Sequence, residues 1–330
     1  MMPQQYNAVV FPAREQAELV TVPQDVRPLA PNEVAGKTLV SLISSGTELS
    51  GGYLAQTFEK PRTPGYAAVF EVEEVGSDVT DIRPGNRVFC MGHHQSFQCK
   101  PRDQVLVLPD NLAPEIGVFT RMMGVSMSTL TTTTARPPEK VVVTGLGVVG
   151  FLAAQIFAHC GYAVIACEPD ARRREIAQAA GIQTVLPAVP IDDPEVVRQV
   201  GLVVECSGHE QAVLDGCRVV RKRGEVAMVG VPWRRRTEVL AFELLHEIFF
   251  NYVVLRSGWE WELPRQAAEF RTNSIWGNLA GALNWLAEGT ICVSDVYEKR
   301  PPREAQNAYQ ELMHNRCAKL SVMFDWTDCP

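Results

Sequence analysis

One run constrains the fold more than any other. Residues 140–150 read Lys-Val-Val-Val-Thr-Gly-Leu-Gly-Val-Val-Gly, so three glycines in Gly-x-Gly-x-x-Gly spacing follow a β-branched stretch and open an apolar segment of helical period. A strand ending this way turns tightly at Gly145, bares its backbone at Gly147 and lets the next helix lie close on it at Gly150. Such a turn belongs to a strand–helix–strand unit, which predicts that the alternation continues downstream.

It does. Lys140–Thr144, Tyr162–Glu168, Thr184–Leu186, Gly201–Ser207, Glu225–Gly230 and Tyr252–Gly258 are apolar runs of strand length. Val148–Cys160, Ala171–Ala180, Pro194–Val200, Glu210–Arg221 and Glu238–Phe250 have helical period between them. Continuous apolar strands separated by helices imply an α/β fold with a doubly wound parallel sheet, covered on both faces. Six strands complete a dinucleotide-binding fold.

The pyrophosphate of a dinucleotide would then lie on the loop Gly145, Leu146, Gly147, Val148, Val149 and Gly150, facing the amides of the helix N-terminus. Glu168 ends the second strand, where a carboxylate accepts hydrogen bonds from ribose hydroxyls and repels a 2′-phosphate; this predicts NAD rather than NADP. Arg172, Arg173 and Arg174 form either a solvated helix face or a phosphate partner, with Arg173 the cofactor-side candidate. Cys206 with Ser207, and Val229, Gly230 and Val231, end later strands at the same sheet edge and are expected to touch the cofactor.

The first third differs. Asn7–Phe11, Lys37–Ile43, Ala67–Val75, Asn86–Met91 and Gln104–Leu108 are short β-branched runs broken by Gly, Pro and Asn, the pattern of an irregular β domain. Helical text covers Pro114–Leu130. The tail predicts a helix at Ile275–Glu288, a strand near Ile291–Tyr297, a helix at Pro302–His314 and a strand at Ala318–Phe324. Two strands are too few to fold alone, so the tail is expected to complete the first domain: catalytic domain 1–117, dinucleotide domain 118–262, completion 263–330.

A net charge of -7 offers no footprint for nucleic acid or an anionic membrane surface. No run approaches a membrane span and the start lacks a leader pattern, which predicts a cytoplasmic protein. Nine cysteines, several within apolar runs, read as reduced thiols.

The chain resembles the medium-chain dehydrogenase/reductase family. The resemblance rests on six ordered segments: Ser45-Gly46-Thr47-Glu48, Pro64-Gly65-Tyr66-Ala67, Gly85-Asn86-Arg87-Val88, Gly145–Gly150, Glu205–Gly208 and Val229–Pro232. It implies a Rossmann sheet inserted into a mostly β, GroES-like catalytic domain, and a dehydrogenase activity. Residues 41–48 with Pro64-Gly65-Tyr66 resemble the branch that includes bacteriochlorophyllide hydroxyethyl dehydrogenase and sugar- or cyclitol-associated dehydrogenases.

Where zinc-dependent relatives place a Cys, a His and a further Cys or acid, this chain has Ser45, Tyr66 and a residue near Met123, and the four-cysteine structural lobe is absent. Hydroxyls and a thioether are poor zinc ligands, so no metal is expected. Cys90, His93, His94 and Cys99 match no zinc spacing. Without metal a side chain must handle the hydroxyl proton. The resemblance puts Tyr66, Thr47, Glu48, His93 and His94 near the nicotinamide. Tyr66 is expected on the substrate oxygen with His94 or His93 behind it, or else packed into the vacated ligand hole. Thr47 relays a proton or caps a helix; Glu48 is a base or one half of a buried ion pair. Trp233 with Arg234–Arg236, and Trp259 with Trp261, either wall the substrate site or form a subunit contact.

These readings predict a zinc-independent, NAD(H)-dependent alcohol dehydrogenase or carbonyl reductase acting on a small alcohol or carbonyl such as a sugar or cyclitol. It is expected to be a homodimer paired through the edge strand Tyr252–Gly258. A quinone or enone reductase and a catalytically inactive dinucleotide-binding partner are the alternatives.

Overall fold

The computed structural model describes residues 4–24 and 27–329. The chain divides into two compact units: Met1–Arg121 with Leu283–Gly289 and Val293–Pro330, and Met122–Ala282 with Thr290–Cys292.

In the first unit β1 (Gln5–Val10) and β2 (Glu18–Pro23) form an antiparallel pair. Five strands follow: β3 (Glu33–Leu42), β4 (Ala68–Val75), β5 (Arg87–Cys90), β6 (Phe97–Pro101) and β7 (Val105–Val107). The long β3 organises the sheet. It pairs antiparallel with β4 on one side; along the other, residues Glu33–Lys37 pair with β6. Beyond β3 the chain makes the short helix α1 (Ser45–Glu48) and a π-helical turn at Leu49–Tyr53. Helix α2 (Pro114–Gly117) follows β7, and of the next helix, α3 (Thr120–Thr132), only Thr120 and Arg121 belong to this unit.

The second unit holds β8 (Lys140–Thr144), β9 (Ala163–Cys167), β10 (Val185–Leu186), β11 (Val200–Glu205), β12 (Val220–Met228) and β13 (Val254–Ser257). They pair in parallel in the order β10-β9-β8-β11-β12-β13, the Rossmann order with its reversal beside β8. Helices α4 (Val148–His159), α5 (Ala171–Ala179), α6 (Glu210–Val219) and α7 (Ala241–Asn251) make the connections. The core is the apolar run of each strand: Val142, Val203 and Val226 are wholly buried. The first part of helix α8 (Ile275–Ala287), residues 275–282, packs within this unit where Gly124 of α3 leaves room for Leu279, and Asn278 donates to the Thr131 hydroxyl at 3.3 Å.

The tail returns to the first unit. Strand β14 (Tyr297–Arg300) runs parallel to β15 (Ser321–Asp325), which pairs antiparallel with β3 at Val40–Leu42. Helix α9 (Ala305–Met313) sends Tyr309 into a core with Phe11, Tyr53, Phe324 and Trp326. The fold is thus a Rossmann sheet inserted into a mostly β, GroES-like domain.

Two expected elements differ. The segment Pro194–Val200 is a series of turns, not a helix, with Arg198 at φ 61° before β11 begins at Val200. Its seven residues are too short to nucleate a helix without strong packing. The strand expected near Ile291–Tyr297 instead spans Tyr297–Arg300, after Asp295 turns the chain at φ 62°. Among the described residues no helix is long and apolar enough to cross a membrane.

Candidate functional site

In the second unit the glycine loop has the shape its spacing requires. Gly145 takes φ +79°, a conformation that side chains disfavour, and a Cβ there would meet Ser207 at 2.8 Å. A Cβ on Gly150 would lie 1.9 Å from the Gly145 carbonyl oxygen, so only glycine lets α4 approach the loop. Gly147 is the opposite case: a Cβ there meets nothing within 4 Å, and its backbone faces open space at the helix N-terminus. That bare backbone is a cradle for an anion. Leu146 and Val148 are buried beneath the loop, while Val149 is partly exposed.

Glu168 follows β9 and is 4% exposed. Its Oε2 accepts from the Leu146 amide at 2.7 Å and its Oε1 from the Asp170 amide at 3.0 Å, so the carboxylate braces the glycine loop. Arg173 approaches Oε2 at 3.8 Å from α5, while Arg174 donates to the carbonyls of Glu168 and Pro169. The later strand ends pack on each other. The Glu205 carbonyl accepts from Val229 and Gly230 amides at 2.8 and 2.7 Å, and the Glu205 carboxylate accepts from the Ser207 and Gly208 amides. Burial pushes this carboxyl above its usual range, against the pull of those amides. Cys206 lies against Gly150, and burial raises its thiol well above the ordinary value, so it packs rather than reacts. Val231 is 44% exposed.

In the first unit, α1 and the turn before β4 bring a second cluster together. Gly65, at φ +95°, leaves no room for a Cβ, which would lie 2.6 Å from the His94 amide nitrogen. That close approach lets the His94 amide donate to the Pro64 carbonyl at 3.0 Å and sets Tyr66 just before β4. The Tyr66 hydroxyl donates to Ser44 Oγ at 2.5 Å and lies 3.3 Å from Thr47 Oγ1. The Arg121 guanidinium, 3% exposed, sits over the Tyr66 ring at 4.6 Å from its centroid. Burial pushes the Tyr66 phenol above its ordinary range; Arg121, Ser44 and Thr47 oppose that rise, and Glu48 adds to it. At neutral pH the phenol is therefore protonated.

Behind this pair lies a closed polar core. Glu48 Oε1 accepts from the Ser44 amide at 2.7 Å; Oε2 accepts from the Tyr309 hydroxyl at 2.5 Å and faces His94 Nε2 at 3.0 Å. His94, wholly buried, meets Ser41 Oγ at 2.7 Å through Nδ1, and Trp326 Nε1 donates to the same oxygen at 2.8 Å. Both ring nitrogens of His94 and both oxygens of Glu48 are thus occupied. His93 is exposed, with Nδ1 2.8 Å from the Gly65 carbonyl oxygen, and desolvation holds its imidazole below the usual range.

The structure brings Tyr66 and Thr47 together. The histidine relay is corrected: the groups on the Tyr66 hydroxyl are Ser44 and Thr47, because His94 is turned inward to Glu48 and His93 bonds the Gly65 carbonyl. Sequence reasoning missed Ser44 and Arg121. Arg121 carried a signal, being the one charge in the run Ile116–Leu130.

A family model described as zinc-binding dehydrogenase matches residues 148–265. Human sorbitol dehydrogenase is 26% identical over 311 residues, covering 82% of each chain. The chain spans 62% of the L-threonine 3-dehydrogenase of Legionella pneumophila strain Corby, at 24% identity over 53% of its own length. The crystal structure of galactitol-1-phosphate dehydrogenase from Escherichia coli superposes with a TM-score of 0.79 at 18% identity, covering 97% of this chain and 99% of that one, a likeness of fold. These matches support placing the chain with the medium-chain, zinc-type alcohol dehydrogenase-like proteins.

The donors do not suit that family's metal. Ser45 and Tyr66 offer neutral hydroxyls and Met123 a thioether, whereas zinc takes thiolate, imidazole or carboxylate. Among the described residues no three His, Cys, Asp or Glu side chains converge. Burial pushes the Cys90 thiol up to about 12 and Cys99 to about 11.

Proposed function

We propose that this chain is a zinc-independent, NAD(H)-dependent alcohol dehydrogenase or carbonyl reductase acting on a secondary hydroxyl or ketone of a polar ring such as a sugar or cyclitol. One observation carries the reading: the Tyr66 phenol, at the position the resemblance matches to a zinc ligand, has its hydroxyl held by Ser44 and Thr47. NADH, when bound, supplies the hydride. In reduction, Tyr66 gives its proton to the carbonyl oxygen as that oxygen gains charge, and the exposed Thr47 links the phenol oxygen to water. In oxidation, the phenolate takes the hydroxyl proton back. Glu168, at the end of β9, supports NAD because a 2′-phosphate would face its carboxylate. Sorbitol and galactitol 1-phosphate, named for two relatives, support a polyol-like substrate.

The deciding assay follows NADH and NADPH oxidation against a panel of cyclic ketones and ketoses, before and after EDTA, with metal content measured in parallel. Turnover with NADH that survives the chelator is expected. Loss in EDTA, restored by zinc, overturns the zinc-independent reading, and tighter NADPH than NADH binding overturns the cofactor assignment.

We also propose a homodimer. Strand β13 ends the Rossmann sheet with one unpaired edge. Beside it α7 is apolar on two faces: Leu244 and Ile248 pack on the core, whereas Phe242, Leu245 and Phe249 stand 69, 62 and 75% exposed. A second copy presenting the same edge and helix covers both at once.

A further inference from the structure

We propose that Arg121 takes over the electrostatic work of the family's metal, stabilising the anion left on Tyr66 when the phenol gives up its proton. This rests on the reading of Tyr66 as the acid–base group, and deepens it. The geometry is specific. Arg121 is the second residue of α3, two before Met123, so the region matched to the third zinc ligand contributes a full positive charge instead of a donor atom. That charge is 3% exposed and lies 4.6 Å from the Tyr66 ring centroid. A desolvated cation over an aromatic face interacts more strongly than one in water, and more strongly still once the ring is anionic.

The charged groups acting on Tyr66 are Arg121, which favours the phenolate, and Glu48, which opposes it; Ser44 and Thr47 add neutral hydroxyls. Glu48 is already bonded by Tyr309, the Ser44 amide and His94, so it is not a proton acceptor for Tyr66. The proton balance is then closed. The O–H bond of Tyr66 breaks and a new O–H bond forms on the substrate oxygen. The electron pair stays on the phenol oxygen, whose ring lies beneath the guanidinium. Ser44, an acceptor while the phenol is protonated, rotates its hydroxyl to donate to the phenolate, and water restores the proton through Thr47. Arg121 touches neither substrate nor hydride in this scheme: it is a positioning residue acting through Tyr66.

The test reads Tyr66 directly, without turnover. Ultraviolet tyrosinate absorbance is titrated in the full chain, and the Tyr66→Phe trace is subtracted to isolate Tyr66. In Arg121→Met the Tyr66 component is expected to ionise at higher pH, by about one unit or more, a shift equivalent to a tenfold change in ionisation equilibrium. Arg121→Lys, which keeps the charge, is expected to lie between the two. The alkaline limb of the rate profile moves with it. A Tyr66 component that titrates identically in Arg121→Met and wild type, with native circular dichroism, overturns the proposal. Should Arg121→Met misfold, an unshifted midpoint in Arg121→Asn or a tyrosinate signal in Arg121→Lys no different from its neutral counterpart overturns it equally. Turnover that survives Tyr66→Phe defeats the functional reading instead, and leaves the titration to judge Arg121 alone.

Discussion

The Tyr309 hydroxyl donates to Oε2 of Glu48 at 2.5 Å, on the same oxygen that faces Nε2 of His94 at 3.0 Å. This joins α9, in the tail, to α1, in the amino-terminal third, through one buried carboxylate. The segment 44–48 is therefore fixed from below, and the hydroxyls of Ser44 and Thr47 are presented to Tyr66 from a rigid support.

Glu48→Gln tests that support. An amide cannot accept from Tyr309 and serve His94 and the Ser44 amide in the same geometry, so one buried group is left unsatisfied at a cost of about 1–3 kcal/mol. Thermal denaturation is expected to show a lowered Tm. NADH affinity, measured by fluorescence titration, should be unchanged because the glycine loop belongs to the other unit.

Tyr66→Phe removes the proton donor while keeping the ring under Arg121. The expected loss in kcat is about 10²–10⁴-fold, the usual worth of a positioned acid or base. The pH dependence has a definite sign. Reduction needs the phenol, so its rate holds at neutral pH and falls as pH rises through the raised phenol value. Oxidation needs the phenolate, so it climbs over the same range. Both transitions lie on the alkaline side of an ordinary tyrosine, near 10, because burial outweighs Arg121. Paired rate–pH profiles in the two directions check this; limbs of equal sign would remove Tyr66 from the reaction.

Much of this was legible in the sequence. The six parallel strands and their helical connections follow from the glycine run and the strand–helix alternation, because apolar runs and turn residues carry local, periodic signals. Strand β2 (Glu18–Pro23) was not, since its burial alternates only weakly and it pairs with β1 in a separate two-stranded sheet. The family resemblance put Tyr66, Thr47 and the two histidines in one region, yet His94 was expected behind Tyr66 and instead faces Glu48. Which neighbour a buried histidine faces is decided by tertiary packing, here by the Gly65 approach and the Glu48 carboxylate. Arg121 lies 55 positions from Tyr66, and no periodicity links residues that distant; only the lone charge in an apolar run marked it.

Two glycines in the same loop predict opposite outcomes. Gly147→Ala has a permitted backbone, φ -63° and ψ 180°, and open space for the methyl, so the apo fold keeps its Tm. The methyl then stands where the pyrophosphate approaches, and NADH affinity should fall tenfold or more, about 1.4 kcal/mol. Gly150→Ala sets its methyl 1.9 Å from the Gly145 carbonyl oxygen and must displace α4, so it should lose stability first. Calorimetry for Tm with titration for affinity separates the two; equal effects on both quantities would argue that the loop does not hold a dinucleotide.

Phe249→Glu addresses the second copy. On α7, Phe242, Leu245 and Phe249 recur at helical spacing on a face distinct from that of Leu244 and Ile248, and Phe250 is also 61% exposed. An exposed apolar surface of this extent is uncommon on a monomer. Phe249 itself is 75% exposed in the single chain, so replacing it with a charge costs that chain's fold little. Across a symmetric contact the same substitution places two carboxylates together, once from each subunit, and strips both of water. Sedimentation velocity should therefore show wild type as a dimer and Phe249→Glu shifted to monomer at micromolar concentration, with far-ultraviolet circular dichroism unchanged. A wild-type chain that sediments as a monomer, or a variant that dimerises undiminished, would take the pairing away from α7 and the β13 edge.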